Sequence, residues 1–141
     1  MSTLNDMVDE IKSNLQGYTL RQDRISNVAN PAGLTTTSTA ITLGTSSNLA
    51  KGIIEIDDEL IFIDSFDKAT SVLNVIPGFG RGYQGTSPAP HTVNAQVTLA
   101  PTFPRVTIKR AINDTINFFI LSIWIYCYSE LTICYYSNST K

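Results

Sequence analysis

Gly52-Ile-Ile-Glu-Ile-Asp-Asp-Glu-Leu-Ile-Phe-Ile-Asp-Ser65 decides the fold. Two short isoleucine-rich runs, 52–56 and 59–65, flank a pair of acidic turn-formers, Asp57-Asp58. That pattern predicts a tight β-hairpin with the two aspartates at its corner. Ser71-Val-Leu-Asn-Val-Ile76 follows after a turn at 65–69 and is the natural next strand. Working outward, further short runs of strand character stand at 24–29, 38–43 and 94–99. Turn-forming clusters at 30–33 and 44–48 separate them. Several short strands at this spacing predict a mainly β, α+β chain built on a small antiparallel β-barrel or sandwich.

A helix is expected on either side of that core in sequence. Leu4, Met7, Val8, Ile11 and Leu15 recur at helical spacing, so 3–16 reads as an amphipathic helix. Thr3 with Asp6 makes a capping pair, and Gly17 suits the position just past the end. Near the other end, Ile108, Ile112 and Ile116 form an apolar stripe over 103–117, with Thr102 as the expected cap and Pro104 in the first turn. The expected organisation is therefore an N-terminal helix (1–17), a β-rich core (18–101), a helix (102–117) and an atypical tail (118–141).

The tail breaks with the rest of the composition. It holds both cysteines, Cys127 and Cys134, the single tryptophan and four of the six tyrosines. Its apolar run to Tyr128 is shorter than the ~20 residues needed to cross a bilayer, and Ser129-Glu130 interrupts it. The residues leave two readings open: a buried or partner-facing segment, or the product of truncation or a shifted reading frame.

The 141 residues carry a net charge of −2 with 16% charged side chains, which suits one modest domain and leaves no basic footprint for nucleic acid. The acidic opening Met1-Ser-Thr-Leu-Asn-Asp-Met-Val-Asp-Glu10 has no basic n-region, so no secretory signal is expected there. The two cysteines and the single histidine make no metal spacing, and no disulfide framework or cofactor is expected.

Between strands 71–76 and 94–99 lies Gly78-Phe-Gly-Arg-Gly-Tyr-Gln-Gly-Thr-Ser-Pro-Ala-Pro-His91. Gly78, Gly80, Gly82 and Gly85 demand positive φ or close backbone approach. Gly80-x-Gly82-x-x-Gly85 matches a dinucleotide-binding string, but that motif needs a helix after its third glycine, and Pro88 and Pro90 forbid one. Glu55, Asp57, Asp58 and Glu59 form the densest carboxylate cluster. A calcium loop would need a glycine that this stretch lacks, so solvated acids at a hairpin corner are the expectation. Glu59 is the exception, placed to reach inward and pair with Arg81, which the flanking glycines fix. His91 is expected to bond loop carbonyls and hold the loop's ends together. Thr86 and Ser87 near it lack any nucleophile pattern. Tyr83 and Phe79 either plug the loop onto the core or display aromatic surface. The best enzymatic version of the chain is a metal-assisted hydrolase using Asp57, Asp58, Glu59 and His91.

The string Gly80-Arg-Gly-Tyr-Gln-Gly-Thr-Ser-Pro-Ala-Pro-His91 resembles the R-G-x-x-G-T-x-x-x-x-H module of virion structural proteins in tailed double-stranded DNA bacteriophages. There it follows a hairpin of the kind found here at Glu55-Ile-Asp-Asp-Glu-Leu-Ile-Phe-Ile-Asp64. The stretch from Leu99 to Ile116 and the opening from Leu4 to Ile11 are also similar to small proteins of the head–tail junction or proximal tail. The likeness covers roughly 3–117, and 118–141 matches nothing in it. The resemblance implies a non-enzymatic subunit that forms a homo-oligomeric ring and contacts portal, neck or tail proteins in the virion. It implies no membrane, no cofactor and no reading of nucleic acid sequence. Tail-fibre or baseplate attachment, or a host-surface carbohydrate-binding module, is the alternative. The residues it marks are Glu59, Gly78, Phe79, Gly80, Arg81, Gly82, Tyr83, Gly85, Thr86 and His91.

Overall fold

The Asp57-Asp58 corner forms as expected: Ile56 pairs with Glu59 and Gly52 with Ile63 across a two-residue turn. Asp57 takes a φ of 53°, the left-handed value that the hairpin turns matching strand twist require. In this computed structural model, residues 3–19, 22–45 and 51–137 are described, the stretch 124–137 as helix backbone alone. Two compact units are present, Met1–Val106 and Thr107–Lys141.

The first unit is a single curled antiparallel sheet. Its strands are β1 (Arg24–Asn27), β2 (Ala40–Thr42), β3 (Gly52–Ile56), β4 (Glu59–Asp67), β5 (Val72–Val75) and β6 (Gln96–Leu99), in the spatial order β1-β6-β3-β4-β5-β2. All six stand where the sequence places them. β4 runs two residues further than expected, past a register shift between Ile63 and Ser65. The sheet curls until its edges meet: Val28 bridges Leu43, and the Ala29 amide donates to Thr42 O at 2.8 Å. The result is a partial barrel, which decides between the expected barrel and sandwich.

Alternation sorts the side chains. Ile54 and Ile56 of β3 and Ile61 and Ile63 of β4 point inward and join Val28, Leu34, Ile41, Leu43, Leu73, Val75, Val97 and Leu99 in one aliphatic core. Each such residue contributes roughly 1.5–3 kcal/mol by leaving water. Glu59 shares the parity of Ile61 and Ile63 and is equally buried. A carboxylate there is tolerable only if it is paired and hydrogen-bonded.

α1 (Leu4–Thr19) begins with the expected capping pair: the Thr3 amide donates to Asp6 Oδ2 and the Asp6 amide to Thr3 Oγ1. It runs on through Gly17, expected to end it, because nothing there forces a left-handed residue. Val8 is buried, and Lys12 reaches Glu55 at 2.8 Å on the outer side of β3.

α2 (Arg105–Ser137) departs from the expected 103–117 at both ends. Thr102 does not cap it; its amide donates to Asp23. Instead the Arg105 amide donates to Glu55 Oε1 at 2.5 Å, which sets a negative charge at the helix start. The helix continues past 117 because neither proline nor glycine occurs after Pro104 to stop it. In the second unit, Phe118, Phe119, Ile120, Leu121 and Ile123 are all exposed. Among the described residues, no helix is long and apolar enough to cross a membrane.

Candidate functional site

The glycine-rich loop fills a gap in the sheet. β5 pairs with β4 only from Ile63 onward, so the amides of Leu60 and Phe62 on that side lack a strand partner. The loop supplies both acceptors: Gly80 O takes the Phe62 amide at 2.7 Å, and Thr86 Oγ1 takes the Leu60 amide at 3.1 Å. Glycine at position 80 is a steric demand. A Cβ there would lie 2.4 Å from Val75 Cγ1 and 2.8 Å from Phe62 O. At Gly82 the demand is conformational as well, with φ +64° and Pro88 Cδ 2.8 Å from a would-be Cβ. Tyr83–Gly85 then makes a single 3-10 turn in which Gln84 is itself left-handed, with φ 54°.

Beneath the loop sits Glu59, which accepts from five donors. Oε1 takes Arg81 Nε at 2.7 Å and the Gly82 amide at 2.9 Å. Oε2 takes Arg81 Nη2 at 2.8 Å, the Ala89 amide at 3.0 Å and His91 Nε2 at 2.9 Å. Burial alone would raise this carboxyl's pKa; the bonds from Arg81, His91 and the two loop amides outweigh it and bring it down to about 2. The expected Glu59–Arg81 pair is therefore present as a forked contact, with the Arg81 side chain 8% and that of Glu59 1% exposed. Arg81 also donates to Ala89 O at 2.6 Å and to Thr35 O at 2.5 Å. One guanidinium thus joins β4, both limbs of the loop and the turn at 35–38.

His91 does hold the loop's end, but not through carbonyls of the loop. Its ring sits between two carboxylates, Nδ1 2.8 Å from Asp57 Oδ2 and Nε2 2.9 Å from Glu59 Oε2. Only its backbone bonds carbonyl and amide groups, in a bridge to Leu34. The physical reason is that two acids at hand outcompete neutral acceptors for a cationic donor. Burial would lower the His91 pKa, yet the bonds and charges of Glu59 and Asp57 prevail and raise it.

The hairpin divides the carboxylate cluster and leaves only Asp57 and Glu59 together, on either side of the His91 ring. Glu55 faces outward to Lys12, Asp58 lies 3.5 Å from Arg105, Asp57 meets His91, and Glu59 points inward. Among the described residues, no group of three or more histidines, cysteines and acids is placed to hold a metal. A cavity of about 350 Å³ lined by Asp9, Lys12, Glu55, Asp57, Gln96, Thr98 and Arg105 lies beside the corner. Several of its charges are already paired: Lys12 with Glu55, and Arg105 with Asp9.

The aromatic question left open by the sequence divides between the two residues. Tyr83 packs on Phe62 with ring centroids 5.3 Å apart and is half-buried. Phe79 meets both edge-on but is 58% exposed, so it displays surface. Lys51 lies over the far part of this group, 5.7 Å from the Phe62 centroid. Gly78, beside Phe79, has open space around its missing side chain.

Sequence reasoning missed the turn at 35–38, Ala89 and the Asp57 contact. Thr35 and Ala89 act through their backbones, which no side-chain pattern advertises. Asp57 was legible only as a member of the corner. The chain matches no family model, no curated protein and no solved structure.

Proposed function

We propose that this chain is a non-enzymatic virion structural subunit of a tailed bacteriophage, acting in the neck or proximal tail through protein–protein contacts. The observation that carries this reading is the loop 78–91: a segment seated on β4 and prefolded by Arg81, Glu59 and His91 that presents Phe79 outward. Such a part loses little conformational freedom on docking, which favours use as a fitting surface. Both nitrogens of the only histidine are engaged by carboxylates, an arrangement suited to holding a loop in place. In this reading the partners are portal, neck or tail subunits and further copies of the chain in a ring, within the virion assembled in the host cytoplasm.

The test is addition of purified protein to portal-bearing capsids, scored by incorporation and by ring formation. Phe79→Asp is expected to abolish incorporation while leaving the circular dichroism spectrum and melting midpoint unchanged. Incorporation at the normal level would overturn the assignment of the loop as the docking surface. The trio Phe62, Phe79 and Tyr83 favours one second reading, a carbohydrate or host-surface module, since sugars stack on exposed aromatic faces. Glycan binding lost on Tyr83→Ala would move the assignment there.

A further inference from the structure

His91 is held in a way that only one protonation state satisfies. An ionised carboxylate accepts and cannot donate, whereas neutral imidazole carries a single N–H. With Asp57 Oδ2 2.8 Å from Nδ1 and Glu59 Oε2 2.9 Å from Nε2, both contacts attract only when the ring bears two protons. Remove one, and a nitrogen lone pair faces an oxygen lone pair within 3 Å. The surroundings decide which contact then fails. Glu59 is 1% exposed, and its Oε2 also receives Arg81 and Ala89, so water cannot replace the imidazole there. The Asp57 side chain is 66% exposed on a two-residue corner, where water can.

We propose that His91 is a one-sided protonation latch between the Asp57-Asp58 corner and the closing end of the glycine-rich loop. As imidazolium it ties the two together. On losing a proton it keeps the Nε2–H bond to Glu59 and releases Asp57, so the corner comes free while the loop stays seated. The charged groups facing the ring are Asp57 from the corner and Glu59 from β4; Arg81 of the loop acts through Glu59, and Asp58 lies against Arg105. The device holds whatever the loop docks against.

Because the chain has one histidine, its ring signals in nitrogen-15 NMR of the 141-residue chain are unambiguous. The expected result is an imidazolium at about pH 5, a titration midpoint above that of a free histidine, and the Nε2–H tautomer in the neutral form. The Asp57 carboxyl carbon shift should move with the same midpoint. Hydrogen-exchange protection factors at Gly82 and Ala89, whose amides are bound to Glu59, should change less than about twofold once the intrinsic pH dependence of exchange is divided out. Asp57→Asn should weaken proton binding by about tenfold and leave those two amides unmoved. A neutral ring at about pH 5, an Nδ1–H tautomer, or loss of protection at Gly82 and Ala89 in step with the titration would each overturn the latch.

Discussion

Between Gly78 and His91 the chain is rich in glycine, proline and polar side chains, yet it is bonded to the body at Phe62, Leu60, Glu59, Leu34 and Thr35. Between Ile116 and Ile123 it carries six large apolar residues, and each is at least 49% exposed. By composition alone the second segment would be placed inside and the first at the surface. The difference teaches that the loop is ordered by complete polar satisfaction around one carboxylate. Apolar content by itself buries nothing until a surface is there to receive it.

The comparison breaks most sharply at Arg81. Arg81→Ala leaves Glu59 buried with its main cation gone, and is expected to cost about 3–5 kcal/mol. Urea unfolding with a constant m-value would read this directly. A change under about 1 kcal/mol would mean that the loop does not depend on that pair. Gly80→Ala is next, since its Cβ must displace Val75 or the Phe62 carbonyl. About 1–3 kcal/mol is expected from such overpacking. Gly78→Ala, with open space but a φ of +74°, should cost only about 1 kcal/mol, the left-handed penalty. Equal losses at the two glycines would show that the loop is not seated against β4.

Much of the loop's anchoring was legible. Glu59 opens an apolar strand and Arg81 is fixed between glycines, so their pairing could be read from the residues; the inward face could not, since Leu60 and Phe62 are as apolar as Ile61 and Ile63. The strands too were legible, because alternation and turn residues agree along 24–45 and 51–76; the rest of the turn expected at 44–48 lies outside the described residues. What escaped reading depends on groups without sequence identity: the carbonyls of Thr35 and Ala89, and the amides that β5 leaves unpaired. The α2 boundary escaped for another reason. A loss of amphipathic pattern after 117 signals the end of a one-sided apolar stripe, not the end of a helix, which needs a breaker that is absent here.

Acid and base probe the same anchor from opposite sides. Glu59 ionises more readily folded than unfolded, so its contribution is present in full above its ordinary value of 4.5 and is lost as pH falls toward about 2. His91 binds its proton more tightly when folded. Its contribution is therefore full below its ordinary value of 6.5 and is lost as pH rises through the raised one. As far as these two groups govern it, stability measured by urea unfolding should be greatest between those ordinary values. His91→Gln should flatten the alkaline side, and it weakens the acid side only by the one bond that His91 gives Glu59. An unchanged alkaline decline in that variant would remove His91 from the account.

Deletion of 118–141 is expected to have the smallest effect on the core, and it tests the other half of the comparison. The side chains described there, Phe118 to Ile123, are exposed and make contacts such as the Phe118–Phe119 ring edge at 6.3 Å within their own helix. Side chains that remain in water when folded gain almost nothing from folding, so their removal should shift the first unit's stability by less than about 0.5 kcal/mol. Solubility should rise, because a contiguous exposed apolar surface of this kind promotes self-association. The check is one pair of measurements on the shortened chain: the unfolding midpoint and the concentration at which light scattering rises. A large drop in the midpoint would show that the apolar stretch supports the sheet after all. Unchanged scattering would show that something already covers it.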